Sequence, residues 1–392
     1  MIDREIAKSL RRAVTQYPVL TLTGPRQSGK TTLLRHLFPE YSYVSLERPD
    51  ERAFALDDPV GFLDRFSGPV IFDEAQQTPE LFSYIQVRVD EDPAPGRFVL
   101  SGSQNFLLLS GVSQSLAGRA RLAHLMPLSL RELNDNASYS WTECAVQGGY
   151  PRIHDRGLDP GEWLAQYFQT YLQRDVRQIT QIGDLEQFSR FVMLCAGRVG
   201  QLLNHASLAN DCGVAQDTVR RWLSVLEASF VVFRLLPHHR RFNRRLTRSP
   251  KLYFVDSGLL CWLLGIGSAS QLNTHAMRGL VFENLMISEA LKAAYHAGQV
   301  PRLHFWRDHR GNEVDLIVDD AATPHPVEMK SAATMNSEFF KGLRFWQSLA
   351  GEGQAGTLVY GGDESYVRDG IAVTGWRDWP ARIASMGFEA LG

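Results

Sequence analysis

The sequence predicts an α/β protein of more than one domain: a parallel sheet that holds a nucleotide at its strand ends, a helical section, and a second α/β region. Three observations predict it. A complete G-x-x-x-x-G-K-[ST] loop, Gly24-Pro25-Arg26-Gln27-Ser28-Gly29-Lys30-Thr31, lies between the apolar run Val19-Leu20-Thr21-Leu22-Thr23 and a helix-like run over 32–38. A second apolar run, Val70-Ile71-Phe72, ends in the paired carboxylates Asp73-Glu74. Short apolar runs alternate with amphipathic stretches up to about residue 135, the rhythm of a parallel sheet covered on both faces.

The loop carries its chemistry in its residue types. Its glycines let the backbone wrap so that successive N–H groups face phosphate oxygens, and the positive end of the following helix favours the anion. Gly24, Pro25, Arg26, Gln27, Ser28, Gly29, Lys30, Thr31 and Thr32 therefore form the expected nucleotide-binding set. Lys30 is placed to reach the β- and γ-phosphates, and Thr31 to hold Mg²⁺. Asp73 would join Thr31 at the metal through water, and Glu74 would polarise the attacking water. A third strand, over 97–101, ends in Gly102-Ser103-Gln104-Asn105. Ser103 is expected to sense the γ-phosphate, with Asn105 behind it. Arg119, in Leu116-Ala117-Gly118-Arg119, is the expected source of positive charge near that phosphate, in its own subunit or a neighbour's, with Arg26 as a weaker candidate.

Together, Gly-Pro-Arg-Gln-Ser-Gly-Lys-Thr, Ile71-Phe72-Asp73-Glu74-Ala75-Gln76, Leu100-Ser101-Gly102-Ser103-Gln104 and Leu116-Ala117-Gly118-Arg119 before Pro127-Leu128-Ser129 resemble a prokaryotic family of AAA-type ATPases. In that family an N-terminal ATPase is joined to a C-terminal domain long labelled as of unknown function. Lys251-Leu252-Tyr253-Phe254-Val255-Asp256, Gly279-Leu280-Val281-Phe282-Glu283-Asn284 and Glu313-Val314-Asp315 also resemble its pattern, so the likeness covers nearly the whole chain. It implies a P-loop ATPase of the additional-strand, catalytic-glutamate type. It also implies ATP rather than GTP, a choice the loop cannot make because it reads phosphates and not the base.

Composition limits the alternatives. A chain of 392 residues suggests two or three domains, and 44% hydrophobic with 21% charged residues suits a folded globule. The formal charge of −2 gives no overall nucleic-acid signature, so any such surface must be local. Cys144, Cys195, Cys212 and Cys261 have neither metal-ligand spacing nor a compact disulfide framework, which predicts reduced cysteines in a cytoplasmic protein. Acids precede any apolar run at the N-terminus, so no secretory signal is expected, and no apolar stretch approaches the roughly 20 residues that span a bilayer.

The boundaries expected are an ATPase domain over 1–135, a helical winged-helix domain over 136–270, and a restriction-endonuclease-like domain over 271–392. Trp163, Tyr167, Tyr171 and Leu172 recur at helical spacing as core, with Arg174-Asp175-Val176-Arg177 on the outside. Leu208, Val214, Val219, Leu223 and Leu226 form the core of a helix-turn-helix with Gly213 at its turn, and 230–236 reads as a wing strand. The stretch from Arg234 to Lys251 carries Arg240, Arg241, Arg244, Arg245 and Arg248 and no acid. This Arg240-to-Arg248 patch is a candidate DNA contact, with a solvated loop or a protein contact as the alternative.

The last region reads as a helix over 280–287, a hairpin of 303–307 and 313–318, and a strand over 326–330. Glu328 and Lys330 share a strand face while Met329 points to the core. With Asp315 and with Glu283 from the helix they match the D…(E/D)-x-K pattern of restriction-endonuclease-like nucleases. Asp315, Glu328 and Glu283 would bind Mg²⁺, and Lys330 would orient the nucleophile or offset charge.

The expected protein is thus a cytoplasmic ATPase using ATP and Mg²⁺. Nucleotide turnover would move the middle section against the ATPase core and so act on a nuclease-like C-terminal domain. Its expected partners are DNA through the winged helix and, as a homo-oligomer, further copies of itself, with no membrane. The alternative is a nucleotide-dependent switch that binds DNA or protein and cuts nothing.

Overall fold

The computed structural model describes residues 2–103, 115–133, 138–172, 185–239, 247–319, 323–351 and 356–388. The first sheet has the order β2-β3-β4-β1-β5 and is parallel throughout. Its strands are β1 (Val19–Thr23), β2 (Ser42–Ser45), β3 (Val70–Asp73), β4 (Phe98–Gly102) and β5 (Ala120–His124). Every residue of β1, β3 and β4 is buried, as central parallel strands covered on both faces require. Alternation divides the apolar side chains between the faces. Leu20 and Leu22 pack with Ile71 and Val99 beneath α1 (Ala7–Val14) and α2 (Lys30–Leu37). Val19, Phe72, Phe98 and Leu100 face α3 (Pro49–Asp57), α4 (Pro59–Asp64) and α5 (Leu81–Glu91), where Phe62, Phe82 and Ile85 close the layer. Each such side chain contributes roughly 1.5–3 kcal/mol. β4 lies between β1 and β3, so the strand ends carrying Thr23, Asp73 and Gly102 share one edge.

The middle section is helical: α6 (Trp141–Gln147), α7 (Pro151–Arg156), α8 (Pro160–Tyr167), α9 (Leu185–Ala196), α10 (His205–Cys212) and α11 (Gln216–Ala228). Ser140 and Glu143 form a reciprocal cap on α6. Trp163 and Tyr167 stack as their spacing predicts, and Tyr150 packs on both rings. The side chains of Tyr171 and Leu172, and all of residues 174–177, lie outside the described residues. Between α10 and α11, Gly213 takes φ 71°, the left-handed turn that glycine allows. Leu208, Val219, Leu223 and Leu226 are buried, Val214 is partly so, and Trp222 packs on Phe188 and Phe191.

The strand expected over 230–236 forms as β6 (Val232–Pro237), which pairs antiparallel with β7 (Lys251–Phe254). β6 also runs parallel to β8 (Leu303–Arg307), which places the pair at the end of an eight-stranded sheet, β12-β13-β11-β10-β9-β8-β6-β7. One apolar cluster runs from Met126 to Phe388, so the helical section and the C-terminal sheet share a core. The junction between the two is short: β6 meets β8 at Leu236 and Pro237, opposite His304 and Phe305.

The remaining elements are α12 (Ser257–Leu263), α13 (Ala269–Thr274), α14 (Arg278–His296), β9 (Glu313–Val318), β10 (His325–Lys330), α15 (Lys341–Ala350), β11 (Thr357–Tyr360), β12 (Tyr366–Arg368), β13 (Ile371–Gly375) and α16 (Trp379–Ser385). β8, β9 and β10 are successively antiparallel, and β10 is parallel to β11 across α15. Asp308 closes the β8–β9 turn by accepting from the N–H groups of Arg310 and Asn312. All four cysteines are buried and unpaired. No described helix is long and apolar enough to cross a membrane.

His124, at the end of β5, accepts from or donates to Thr23 Oγ1 at 2.8 Å and packs on the rings of Tyr295 and Phe230. Burial pushes its imidazole down to about 4. The unfolded chain therefore binds more protons between pH 6.5 and 4, and the contribution is lost as pH falls through that window, up to about 3 kcal/mol. His124→Gln is expected to flatten the acid limb of the thermal midpoint against pH between 7 and 4.5, measured by calorimetry.

Candidate functional site

The loop from residue 24 to 29 joins β1 to α2. Gly24 is dictated by close approach, because a Cβ there would lie 2.1 Å from the Leu125 carbonyl oxygen. Gly29 takes φ 93° and caps α2 with no side-chain acceptor, which leaves the first-turn N–H groups for another acceptor. Lys30 is buried and donates to the carbonyls of Gly24 and Pro25 at 2.9 Å each. Ser28 Oγ is buried and has no hydrogen-bond partner.

The carboxylates stand at the adjoining strand ends. Asp73 Oδ2 accepts from Thr31 Oγ1 at 2.7 Å and from Tyr43 OH at 2.8 Å, while Ser101 Oγ donates to Oδ1. Burial and the Asp73 charge hold the Tyr43 phenol above its ordinary range, so it stays a donor. Glu74 sits in left-handed backbone, φ 56°, and accepts from Ser103 Oγ at 3.2 Å and from Gln76 Nε2. Ser103 thus touches the expected catalytic glutamate. Gln104 and Asn105 lie outside the described residues.

A cavity of about 550 Å³ opens here, lined by Arg26, Gln27, Gly29, Lys30, Thr31, Thr32 and Glu74 on one side and by Arg152 and Arg156 of α7 on the other. The position expected for Arg119 is corrected by this geometry. It precedes β5 at the end of the sheet opposite the loop, where its guanidinium pairs with Asp90 at 2.6 and 2.9 Å. β1 and β5 run in register from Val19 and Ala120 to Thr23 and His124, so about 16 Å of strand separates Arg119 from its own subunit's loop. Besides Arg26 of the loop itself, the arginines that border the cavity include Arg152 and Arg156 from the helical section, which gave no sequence signal.

A second ligand-like cluster forms on the C-terminal sheet. Glu328 and Lys330 share a face as expected, with Lys330 Nζ 2.8 Å from Glu328 Oε2 and 3.3 Å from Asp315 Oδ2. The Met329 N–H donates to Asp315 at 2.9 Å. Glu283 arrives from α14, but its Oε1 is already held by Tyr253 OH at 2.5 Å and Lys251 Nζ at 3.2 Å. Lys251 also pairs with Glu313 at 2.5 Å, and Arg307 with Glu313 at 2.9 Å. Burial pushes Glu328 well up, and the Asp315 charge adds to it. Burial also raises Glu283, against the pull of Lys251. The charges of Glu283, Glu313 and Asp315 hold Lys251 above its usual range although burial opposes them. Among the described residues, Asp315, Glu328 and Glu283 do not place one oxygen each within 4.8 Å of one another. Lys251 and Tyr253 reach this cluster from β7, and Asn284 fastens that strand by bonding both the N–H and the C=O of Phe254.

The basic patch is largely outside the described residues, which omit Arg240, Arg241, Arg244 and Arg245. Arg248 is exposed, and Arg234 is engaged by Glu227.

Residues 16–134 match the family described as AAA domain, and residues 138–270 and 278–379 match two families described as domains of unknown function, DUF8612 and DUF4143. The chain is 36% identical over 336 residues to uncharacterized proteins of Mycobacterium tuberculosis and Mycobacterium bovis, covering 84% of this chain and 74% of each relative. Among solved structures, a Walker-type ATPase of Pyrococcus abyssi shows 16% identity over 67% of this chain and 96% of its own, at TM-score 0.45. The RuvB Holliday junction branch migration motor of Thermotoga maritima shows 17% identity over 58% and 88%, at TM-score 0.31.

Gly342, in the first turn of α15, packs directly on the carboxylate cluster: a Cβ there would lie 1.9 Å from Glu328 Oε1 and 2.8 Å from the Glu313 carbonyl. Gly342→Ala is expected to cost about 1–3 kcal/mol through overpacking, read as a lowered midpoint of chemical unfolding.

Proposed function

The chain belongs to the AAA-type P-loop ATPases that carry C-terminal domains of unknown function, and from that premise we propose that it binds and hydrolyses ATP with Mg²⁺. The observation that carries this reading is the convergence of Thr31 and Ser101 on Asp73, with Glu74 held beside it by Ser103 and Gln76. The residues present fit the ligands. The uncapped start of α2 and the unpartnered Ser28 hydroxyl suit an anion, and the hydroxyl and carboxylate of Thr31 and Asp73 are oxygen donors of the kind Mg²⁺ prefers. When bound, Mg²⁺ would offset phosphate charge. Lys30 would exchange its loop carbonyls for phosphate oxygens, and Glu74 would orient the attacking water. Arg152 and Arg156 would supply positive charge from within the subunit, while Arg119 is left with a role only toward a neighbouring copy.

The C-terminal domain is the proposed effector, acting on nucleic acid through a restriction-endonuclease-like site. Its support is the order helix, three antiparallel strands, helix and parallel strand, with Asp315, Glu328 and Lys330 on one face. A second reading, a switch that binds DNA or protein without cutting, is favoured by one observation: Lys251 and Lys330 already balance the carboxylates that would otherwise call for a metal. Contact with DNA through α10, α11 and the arginines around 240–248, and assembly into oligomers, belong to both readings.

Lys30→Ala is expected to abolish nucleotide binding in calorimetry, and Glu74→Gln to retain binding while losing about a hundredfold or more in phosphate release. Arg156→Ala should lower turnover by at least about tenfold, and Arg119→Ala should leave turnover of dilute protein unchanged. Circular and linear DNA incubated with Mg²⁺ or Mn²⁺, with and without ATP, separates the two readings of the effector. Cleavage lost in Asp315→Ala supports the nuclease, and absence of cleavage with intact ATP hydrolysis supports the switch.

A further inference from the structure

A third cluster lies away from both sites, where the ATPase domain meets the C-terminal end of α14. We propose that Glu5, Glu132 and His296 form a divalent transition-metal site of the Zn²⁺ class, which fastens the segment before α1 and residues 128–133 to α14.

The donor atoms of these three side chains all lie within 4.8 Å of one another. His296 is 2% exposed, and neither of its ring nitrogens has a hydrogen-bond partner. Its Nδ1 is 3.8 Å from Glu5 Oε2 and 3.7 Å from Glu132 Oε1, too far for hydrogen bonds. Two ligands each about 2.1 Å from one ion, and spread at the wide angles of low coordination, stand roughly 3.5 Å apart. A buried imidazole within ion-pairing reach of two carboxylates and hydrogen-bonded to neither has the spacing of a ligand set.

The surroundings hold the carboxylates in place as outer partners do in metal sites. Glu132 Oε1 accepts from the Glu5 N–H at 2.7 Å and Arg4 Nε at 3.1 Å, and Oε2 from the Ser129 N–H at 3.0 Å. Glu5 accepts from Ser129 Oγ at 2.9 Å and pairs with Arg131 at 3.0 Å. His296 is the last residue of the 19-residue α14, where the helix dipole favours a cation. A cavity of about 480 Å³, lined by Glu5, Ser129, Glu289 and His296, leaves an open side for water as a further ligand. One imidazole nitrogen with two carboxylate oxygens suits Zn²⁺ better than Mg²⁺, which prefers an all-oxygen octahedron. Arg4 and Arg131 offset part of the carboxylate charge, which weakens the attraction for a cation.

Zn²⁺ binding at this site can be read without ATP turnover. The test is titration of ZnCl₂ into chelator-treated full-length protein at pH 7.5 without nucleotide, by calorimetry and thermal melting. The wild type is expected to show a saturable site and a midpoint raised by on the order of 4 °C at hundredfold excess over Kd. His296→Ala and the partly exposed Glu5→Gln, each checked by circular dichroism and retained ATP binding, should weaken Zn²⁺ by about tenfold or more and lose the shift. His36→Ala, outside the cluster, should change neither. The absence of a saturable site in the wild type, or an unchanged Kd in both cluster variants, overturns the proposal. So does a stabilisation that follows pH and ignores Zn²⁺, because His296 would then act as a protonated imidazole between the carboxylates.

Discussion

A charge taken out of water has to find its opposite, and that constraint organises the molecule around Arg4. Its guanidinium is buried and makes three bonds to two other segments: to the Ser28 carbonyl in the phosphate loop at 2.8 Å and, after β5, to the Met126 carbonyl at 2.6 Å and to Glu132 at 3.1 Å. Removing it would strand the Glu132 carboxylate, whose side chain is 1% exposed. One side chain thus bonds the start of the chain both to the loop and to the segment after β5.

The same segment is gripped from the other side by α14. Lys292 donates to the Leu128 carbonyl at 3.0 Å, and Glu289 accepts from the Leu130 N–H at 2.8 Å while pairing with Lys292 at 2.7 Å. A continuous line of buried polar contacts thus runs from the phosphate loop to the helix that carries Glu283. Coupling between a nucleotide and the C-terminal sheet requires two arrangements of such a line with different free energies. The bonds around Arg4 and Glu132 are where a change in the loop would first be felt.

The two carboxylate sites differ in how their charge is met. Around Asp73 the partners are neutral hydroxyls from Thr31, Tyr43 and Ser101, so the carboxylate is oriented and its charge is left for an incoming cation. Around Asp315 and Glu283 the partners are Lys330 and Lys251, so the charge is already opposed within the chain. A cation entering there must displace an ammonium group, at a desolvation cost that the open site at Asp73 does not impose.

The sequence alone carried the parts of this protein whose chemistry is local. The phosphate loop, the Asp73-Glu74 strand end, Ser103, the turn at Gly213 and the Glu328-Lys330 face are set by spacings of a few residues and by the two periodicities of helix and strand. Other features rest on contacts between distant parts of the chain. Arg4 and Glu132 are 128 positions apart, Lys251 and Glu283 are 32 apart, and the arginines facing the loop come from a different section of the chain. Arg119 shows the same limit in reverse, since its motif is local but its direction depends on which strand end it occupies. Periodicity reports which face a residue shares with its neighbours. Only the packing of one element on another decides which charges meet, because burial makes an unpaired charge too costly to keep.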